Sequence, residues 1–530
     1  MTGRLAIDFG TSNTVLAVWD ETTSSGRVLW LPDYGRTLQQ GDENISLIPS
    51  LIHYTPDGRR WIGNQVLQNN LYASPRTFRW MKRYISHRSP IRQNLDGKSV
   101  SYQEAGADFL TSVLVNAQQE LGLTDEEIVL SVPVESFEHY EDWLTGVAEK
   151  SGLSRFRLID EPSAAALGYG AHIQPGSVYL IFDFGGGTLH AAVVRIEPDD
   201  GASSGRRCRV LGKAGKDIGG STLDQWLFQD FLRQIHHNDY DAEITRISSA
   251  LLIECEHAKE MLTFQDHTTI TMMNPDTGAV WDVEYSRTAF ENLLDQNNLF
   301  SEIDHTVRRA LNASRERGYG EDSIQKVLMV GGSSQIPCVQ RVLRQIFGRE
   351  RVLADHPMDA VARGAAAFAA GIDFYDHIQH DYAIRYVNPA TGAYDYRVIV
   401  QRGTPYPTEN AVARLAVKGA FDGQKQLGIA VYEMGAKRHS RHQPQVEIVF
   451  DLNGAARVMP VAPDEEERRA SFWMNENNPT FLSADPPVHR GEARFEVEFR
   501  VDENKRLTLT ARDTNANRLV YQDYPVVKLT

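Results

Sequence analysis

Up to residue 373 the chain alternates short apolar runs with longer stretches of helical spacing. The runs RLAIDF, EIVLSVPV, VYLIFDF and KVLMVGG are of strand length and bounded by turn-forming residues, so they predict strands. Residues 104–121, 136–151, 221–235 and 335–347 carry the spacing of helices. That alternation predicts a mixed α/β domain over 1–373. The segment FYDHIQHDYAIRY (374–386) changes the texture and reads as an interdomain linker. Beyond it, Phe495, Val497, Phe499 and Val501 alternate with Arg494, Glu496, Glu498 and Arg500. A turn at 502–505 follows, and Leu507, Leu509 and Ala511 resume the period of two. This predicts a hairpin with one buried face. QLGIAVYEMG (426–435) reads as a further sheet member, and 387–530 as a β-sandwich.

A chain of 530 residues is too long for one core, which agrees with two or three domains. A net charge of −15 argues against a nucleic-acid partner held through phosphates. Cys208, Cys255 and Cys338 are scattered without metal-ligand spacing, as expected in a reducing compartment. The opening MTGRLAIDFG has no charged-then-apolar leader, and no apolar run reaches membrane-spanning length. A soluble cytoplasmic protein without a membrane partner is expected.

The chemistry lies in a repeat. IDFGTSN (7–13) and FDFGGGTLH (182–190) each send an apolar strand into an aspartate and then a bend of small residues. Such bends expose backbone N–H groups to an anion without side-chain obstruction. Aspartates beside a phosphate repel it unless a cation intervenes, and Mg²⁺ suits that role. One copy alone reads as a glycine-containing hairpin turn; two suggest a pair of lobes facing one ligand. No GxxxxGK[ST] loop occurs.

Three more stretches bear on this reading. VLMVGGSSQIP (327–337) is a strand followed by Gly331 and Gly332, with Ser333 and Ser334 as helix-capping candidates. In IDEPSAAALGYG (159–170), Glu161 precedes a proline at a helix start. VARGAAAFAAG (361–371) is a second small-residue helix. Ala164 to Gly168 and Gly364 to Ala367 would let two helices cross closely, either as a hinge or as plain tight packing.

In this order the five stretches resemble the nucleotide-binding domain of the heat-shock protein 70 (DnaK-like) chaperones, within the actin and sugar-kinase superfamily. They match its first phosphate loop, first connecting helix, second phosphate loop, adenosine loop and second connecting helix. DIGGSTLDQWL (217–227) is similar to the family's double-glycine turn, and CEHAKEMLT (255–263) to its ribose- and adenine-binding helix. QRGTPYPT, GIAVYEMG and the hairpin at 494–513 resemble its peptide-binding β-sandwich.

The resemblance implies a two-lobed actin-like ATPase domain, ATP/ADP and Mg²⁺ as ligands, and unfolded or extended polypeptide as partner. It also implies J-domain and nucleotide-exchange co-chaperones. Gly10, Thr11, Ser12 and Asn13, with Gly185, Gly186 and Gly187, would hold the phosphates. Asp8 and Asp183 would face the magnesium, with Glu161 nearby and Thr188 at the γ-phosphate. Gly219, Gly220, Gly331, Gly332, Ser333 and Gln335 would border the nucleoside. Glu256, Lys259, Glu260 and Thr263 share a helix face toward ribose and base, or form a solvated charged stripe.

Several positions depart from the family. His190 stands where its second phosphate loop has an aspartate. WIGNQVLQNNLY puts Leu67 or Gln68 where the family's catalytic lysine is expected. Glu260 and Gln335 replace the arginines that stack on adenine, so weaker nucleotide binding is expected. The linker lacks the leucine-rich acidic motif, and with the sequence ending at Thr530 no helical lid is expected. Two functions remain open: a chaperone coupling ATP state to polypeptide binding, with weak hydrolysis, or a nucleotide-sensing holdase with little or none. A sugar kinase is disfavoured by the β-rich tail.

Overall fold

In the computed structural model the described residues are all except 1–4, 41–42, 123–126, 134–137, 154–155, 171–173, 175, 198–206, 275, 371–373, 376–377, 379, 389–391, 405, 435–445, 451–454, 461–470, 477–478, 503–504 and 530. The chain divides into two compact units. The first comprises 1–134, 143–375 and 444–461; the second comprises 135–142, 376–443 and 462–530.

The first unit is built on two sheets of related design. One contains β1 (Leu5–Phe9), β2 (Asn13–Asp20), β3 (Ser25–Val28), β4 (Arg36–Gln40), β5 (Glu43–Pro49), β6 (Ile128–Val132) and β7 (Phe156–Asp160). Its order is β7-β6-β1-β2-β5-β4, with β3 also on β2. The other contains β8 (Val178–Phe184), β9 (Leu189–Glu197), β10 (Arg207–Lys216), β11 (Ile324–Val330), β12 (Val352–Leu353) and β13 (Phe374–Tyr375), ordered β12-β11-β8-β9-β10-β13. In each, a hairpin (β1/β2, β8/β9) is flanked by two successive parallel strands (β6 and β7, β11 and β12). The repeated bend of the sequence is therefore a repeated half-domain. β8 is buried along its whole length, as its unbroken apolar run requires.

Five helices matter for the site: α1 (Met81–Ser86), α2 (Glu161–Gly168), α3 (Gly220–Gln234), α4 (Ala242–Phe264) and α5 (Ala360–Ala369). Asp160 caps α2, accepting from the Ser163 N–H at 3.1 Å and hydroxyl at 2.6 Å, with Pro162 in the first turn. The helices expected at 104–121, 136–151, 221–235 and 335–347 are Tyr102–Leu121, Glu138–Lys150, α3 and Pro337–Phe347.

The two small-residue helices do cross. α2 follows the first sheet and packs on its β6 and β7 as well as on β8, β9 and β10 of the second, whereas α5 follows the second sheet and packs on β1, β2, β3 and β6 of the first. At the crossing, a Cβ on Gly364 would lie 1.6 Å from the Ala164 carbonyl oxygen, and one on Gly168 1.8 Å from that of Ala360. Only glycine permits this backbone-to-backbone approach. Ala164 to Ala166 and Ala365 to Ala367 form the centre of the shared core.

A hairpin distant in sequence completes this unit. Val446–Phe450 pairs with Ala456–Pro460. The Tyr84 hydroxyl donates to the Ile448 carbonyl at 3.0 Å, and the Arg79 guanidinium lies over the Phe450 ring at 4.6 Å. On α4 and just before it, the Ala456 N–H donates to Ser248 Oγ at 2.9 Å and the Val458 N–H to Asp239 Oδ2 at 2.8 Å. These residues lie inside the stretch whose sequence reads as sandwich, but in space they pack with the first unit.

Among the described residues of the second unit, strands dominate. One sheet orders Tyr394–Val400, Asp381–Val387, Val431–Met434 and Ser471–Trp473; another orders Ala413–Lys418, Ala493–Val501, Arg506–Asp513 and Arg518–Lys528. Phe495, Val497, Phe499, Val501, Leu507, Leu509 and Ala511 are all buried in one core, matching the alternation. Arg494, on the polar phase of that alternation, is buried too, because it donates to Asp513 at 2.9 Å and to the Asp485 carbonyl at 2.8 Å. The stretch 426–435 divides between two sheets: Gln424–Ile429 pairs with Thr480–Val488, and Val431–Met434 with Asp381–Val387. In the stretch read as linker, residues 376, 377 and 379 lie outside the described ones, while Phe374–Tyr375 pairs with β10 and Asp381 opens a strand. No helix among the described residues is long and apolar enough to cross a membrane.

Candidate functional site

The two acidic bends meet. A Cβ on Gly186 would fall 2.5 Å from Ser12 Oγ, and one on Gly187 2.6 Å from Thr11 Oγ1. The first bend is braced by Ser50, whose hydroxyl donates to the Gly10 carbonyl at 2.8 Å. The second is closed by the Gly185 N–H donating to the Thr188 carbonyl at 3.0 Å. Asn13 Oδ1 is buried beside these bends with no hydrogen-bond partner among the described residues, an opening for a polar ligand.

The remaining loops lock onto the second bend through its carbonyls. Gly220 N–H donates to the Gly185 carbonyl at 2.9 Å and Ser221 N–H to that of Gly186 at 2.8 Å. Ser333 Oγ donates to the Gly185 carbonyl at 3.0 Å. Gly331 has φ +82°, and a Cβ there would lie 2.4 Å from the Phe184 carbonyl oxygen. The turns 10–13, 185–188, 219–220 and 331–333 thus form one continuous glycine-lined surface.

Beneath it lies a buried charged cluster. Asp8 accepts from Ser131 Oγ at 2.6 Å. Burial pushes the Asp8 carboxyl up to about 6, against the pull of Lys82, with Glu161 adding repulsion. Burial, Glu161 and Asp8 push Asp183 well above the ordinary carboxylate range. Asp183 stands directly opposite His190 in the β8/β9 register, and Glu161, Asp183 and His190 each bring a ligand atom within 4.8 Å of the others.

Lys82, on α1, forms a buried ion pair with Glu161. The site therefore contains an ammonium, contrary to the expectation drawn from Leu67, which sits half-buried on the short helix Asn64–Gln68. Sequence reasoning missed Lys82 because it sought the lysine beside the Ile-Gly pair. The available signal was RWMKRYI, which runs into a six-residue helix where Lys82 follows Met81 and precedes Arg83, with apolar residues on either side of the charged pair.

The face of α4 divides its tasks. Lys259 pairs with Asp224 on α3 at 2.8 Å, and its Nζ would lie 3.1 Å from a Cβ on Gly220. Burial raises the Asp224 carboxyl to about 7, with Lys259 opposing that rise. Glu256 accepts from the Tyr72 hydroxyl. Glu260 is exposed, Gln335 half-buried, and Thr263 Oγ1 donates to the Lys259 carbonyl at 3.1 Å. Lys259 has its ion pair with Asp224 on α3, and, against the effect of burial, Asp224 with Glu256 and Glu260 of its own helix holds the ammonium above its ordinary range.

A sequence profile of the Hsp70 protein family matches residues 4–464. The chain is 27% identical to the chaperone protein DnaK of Deinococcus proteolyticus, over 98% of this chain and 78% of that one. With its repeated half-domains and converging acidic bends, and a family match that runs through most of its length, this chain belongs to the Hsp70 family.

Proposed function

We propose that the protein is an ATP-binding chaperone of the Hsp70 type, with an actin-like ATPase domain coupled to a β-sandwich that takes extended polypeptide. The observation that carries this reading is the convergence of the Asp8 and Asp183 bends on one buried charged cluster. Thr11, Ser12, Asn13 and Gly185 to Gly187 bind the phosphates through backbone N–H groups. Gly219, Gly220, Gly331, Gly332, Ser333 and Lys259 border the nucleoside, with Glu256, Glu260, Thr263 and Gln335 toward the base.

Asp8, Glu161 and Asp183 set three carboxylates against the ammonium of Lys82, a surplus of negative charge that fits a divalent cation. Asp8 and Asp183 would hold Mg²⁺, which when bound neutralises phosphate charge. Lys82 positions the attacking water and stabilises charge on the transferred group, with Glu161 fixing its ammonium and Thr188 facing the γ-phosphate.

Isothermal titration with ATP and ADP, each with and without Mg²⁺, tests the site; no heat of binding for either nucleotide refutes it. Phosphate release stimulated by an apolar peptide is the expected activity, lost in Asp183→Ala. A second reading, a nucleotide-sensing holdase without turnover, draws on His190, whose imidazole occupies the aspartate's place. Peptide binding that responds to ATP while phosphate release equals the enzyme-free blank would select it. J-domain and nucleotide-exchange proteins are the expected partners of either.

A further inference from the structure

We propose that Glu161, Asp183 and His190 coordinate a divalent first-row transition cation directly, through two carboxylates and an imidazole, in preference to Mg²⁺. This deepens the reading of the cleft by naming its cation, and it requires no bound nucleotide. One donor atom from each residue lies within 4.8 Å of the other two, the spread that a single ion can bridge, and all three residues are buried.

The donors are held by regular structure. Asp183 and His190 face one another across adjacent antiparallel strands, so their spacing follows from the sheet register. Glu161 opens α2 directly after its capping residue, which fixes its position relative to β7. Sites carried on strands and helices keep their geometry better than sites on loops.

Charge supports a divalent ion. Asp8, Glu161 and Asp183 oppose Lys82, leaving two negative charges when the carboxylates are ionised. Lys82 engages Oε1 of Glu161, and a carboxylate has a second oxygen to offer. Asp8, with its donor Ser131, lies beside Asp183.

Donor chemistry selects the ion. Mg²⁺ takes oxygen ligands and retains water, with little gain from a nitrogen donor. Imidazole suits the later first-row ions, Fe²⁺, Ni²⁺, Cu²⁺ and Zn²⁺, and affinity for such a site rises from Mn²⁺ to Cu²⁺, so Mn²⁺ is the weakest binder of the series and the most stringent probe of it. An aspartate in place of His190 would make the set all-oxygen and remove that preference. The imidazole, a deficit for an all-oxygen magnesium site, is a gain for a nitrogen–oxygen one.

The test uses the full chain stripped of metal by a chelator, without nucleotide. MnCl₂ is titrated by electron paramagnetic resonance, Mg²⁺ is added as competitor, and electron spin-echo modulation reads ¹⁴N coupling. Expected are one Mn²⁺ per chain, imidazole ¹⁴N modulation, and at least about tenfold preference over Mg²⁺. His190→Asp should lose the modulation and most of the preference while keeping the wild-type circular dichroism spectrum. Bound Mn²⁺ without ¹⁴N modulation, equal competition by Mg²⁺, or no Mn²⁺ binding would each overturn the proposal, and the wild-type measurement decides even where the variant misfolds. Failure to bind ATP in calorimetry would refute the nucleotide site while leaving a ¹⁴N-coupled Mn²⁺ signal standing, so the two readings fail separately.

Discussion

Gly364→Ala places a methyl group where α5 crosses α2, 1.6 Å from the Ala164 carbonyl oxygen and 2.6 Å from the Gly168 nitrogen. Both obstacles are backbone, so no side chain can swing aside. Bringing the carbonyl contact to about 3 Å requires the helices to part by roughly 1.4 Å. Gaps of even 0.5–1 Å forfeit about a quarter to a half of each dispersion contact. The loss falls on Ala164 to Ala166 and Ala365 to Ala367, at the centre of the core. A cost of about 3 kcal/mol, at the upper end of overpacking, is expected. With unfolding entropy near 2.1 cal/mol/K per residue and roughly 385 residues in the first unit, that corresponds to a Tm about 4 °C lower. Differential scanning calorimetry reads it. Gly146→Ala is the control: this glycine lies in the helix Glu138–Lys150, and a Cβ there meets nothing within 4 Å. The same chemical change should there raise Tm by about 1 °C through helix propensity and reduced unfolded-state entropy. A Gly364→Ala variant within 1 °C of wild type would refute the backbone-contact reasoning.

Further outcomes follow from the site and its supports. Lys82→Met should lower single-turnover phosphate release about a hundredfold or more, and an unchanged rate dismisses its assigned role. Phe450→Ala removes a ring packed on Arg79 and Trp80 and should destabilise the first unit by about 3 kcal/mol; hydrogen exchange in α1 that remains unchanged would detach the hairpin from that unit. Burial opposes ionisation of Asp359, but His356 and Arg363 outweigh it and hold the carboxyl below its ordinary 3.8. Its stabilisation is therefore present above that value and lost as pH falls through the lower folded pKa. Asp359→Asn should flatten the dependence of unfolding free energy on pH below about 4, and an acid limb identical to wild type counts against the linkage.

Much of the site was legible because its chemistry is local. An aspartate closing a strand, followed by residues without bulk, determines a bend whatever surrounds it, and both bends formed where the sequence put them. The crossing helices were legible as small-residue stripes, although sequence alone left open a hinge or plain tight packing; the 1.6 Å and 1.8 Å approaches establish how closely the backbones cross. Lys82 was not legible as a site residue. Its ammonium reaches Glu161 across 79 positions, and nothing in RWMKRYI states which carboxylate that helix will face. The division of α4 into Lys259 toward Asp224 and Glu256 toward Tyr72 was equally hidden.

The hairpin 446–460 marks the same boundary more sharply. Its sequence matches strands of the second unit, and propensity cannot distinguish one buried partner from another. It joins the first unit because Arg79, Tyr84, Ser248 and Asp239 present the complementary ring-stacking and hydrogen-bonding groups there. By itself the sequence determined the element types, the duplication and the acidic bends, since these depend on periodicity and backbone sterics within a few residues. Which charges meet, which helices touch and where that hairpin docks were decided by tertiary structure, because burial and Coulomb interactions depend on distances in space that no local pattern encodes.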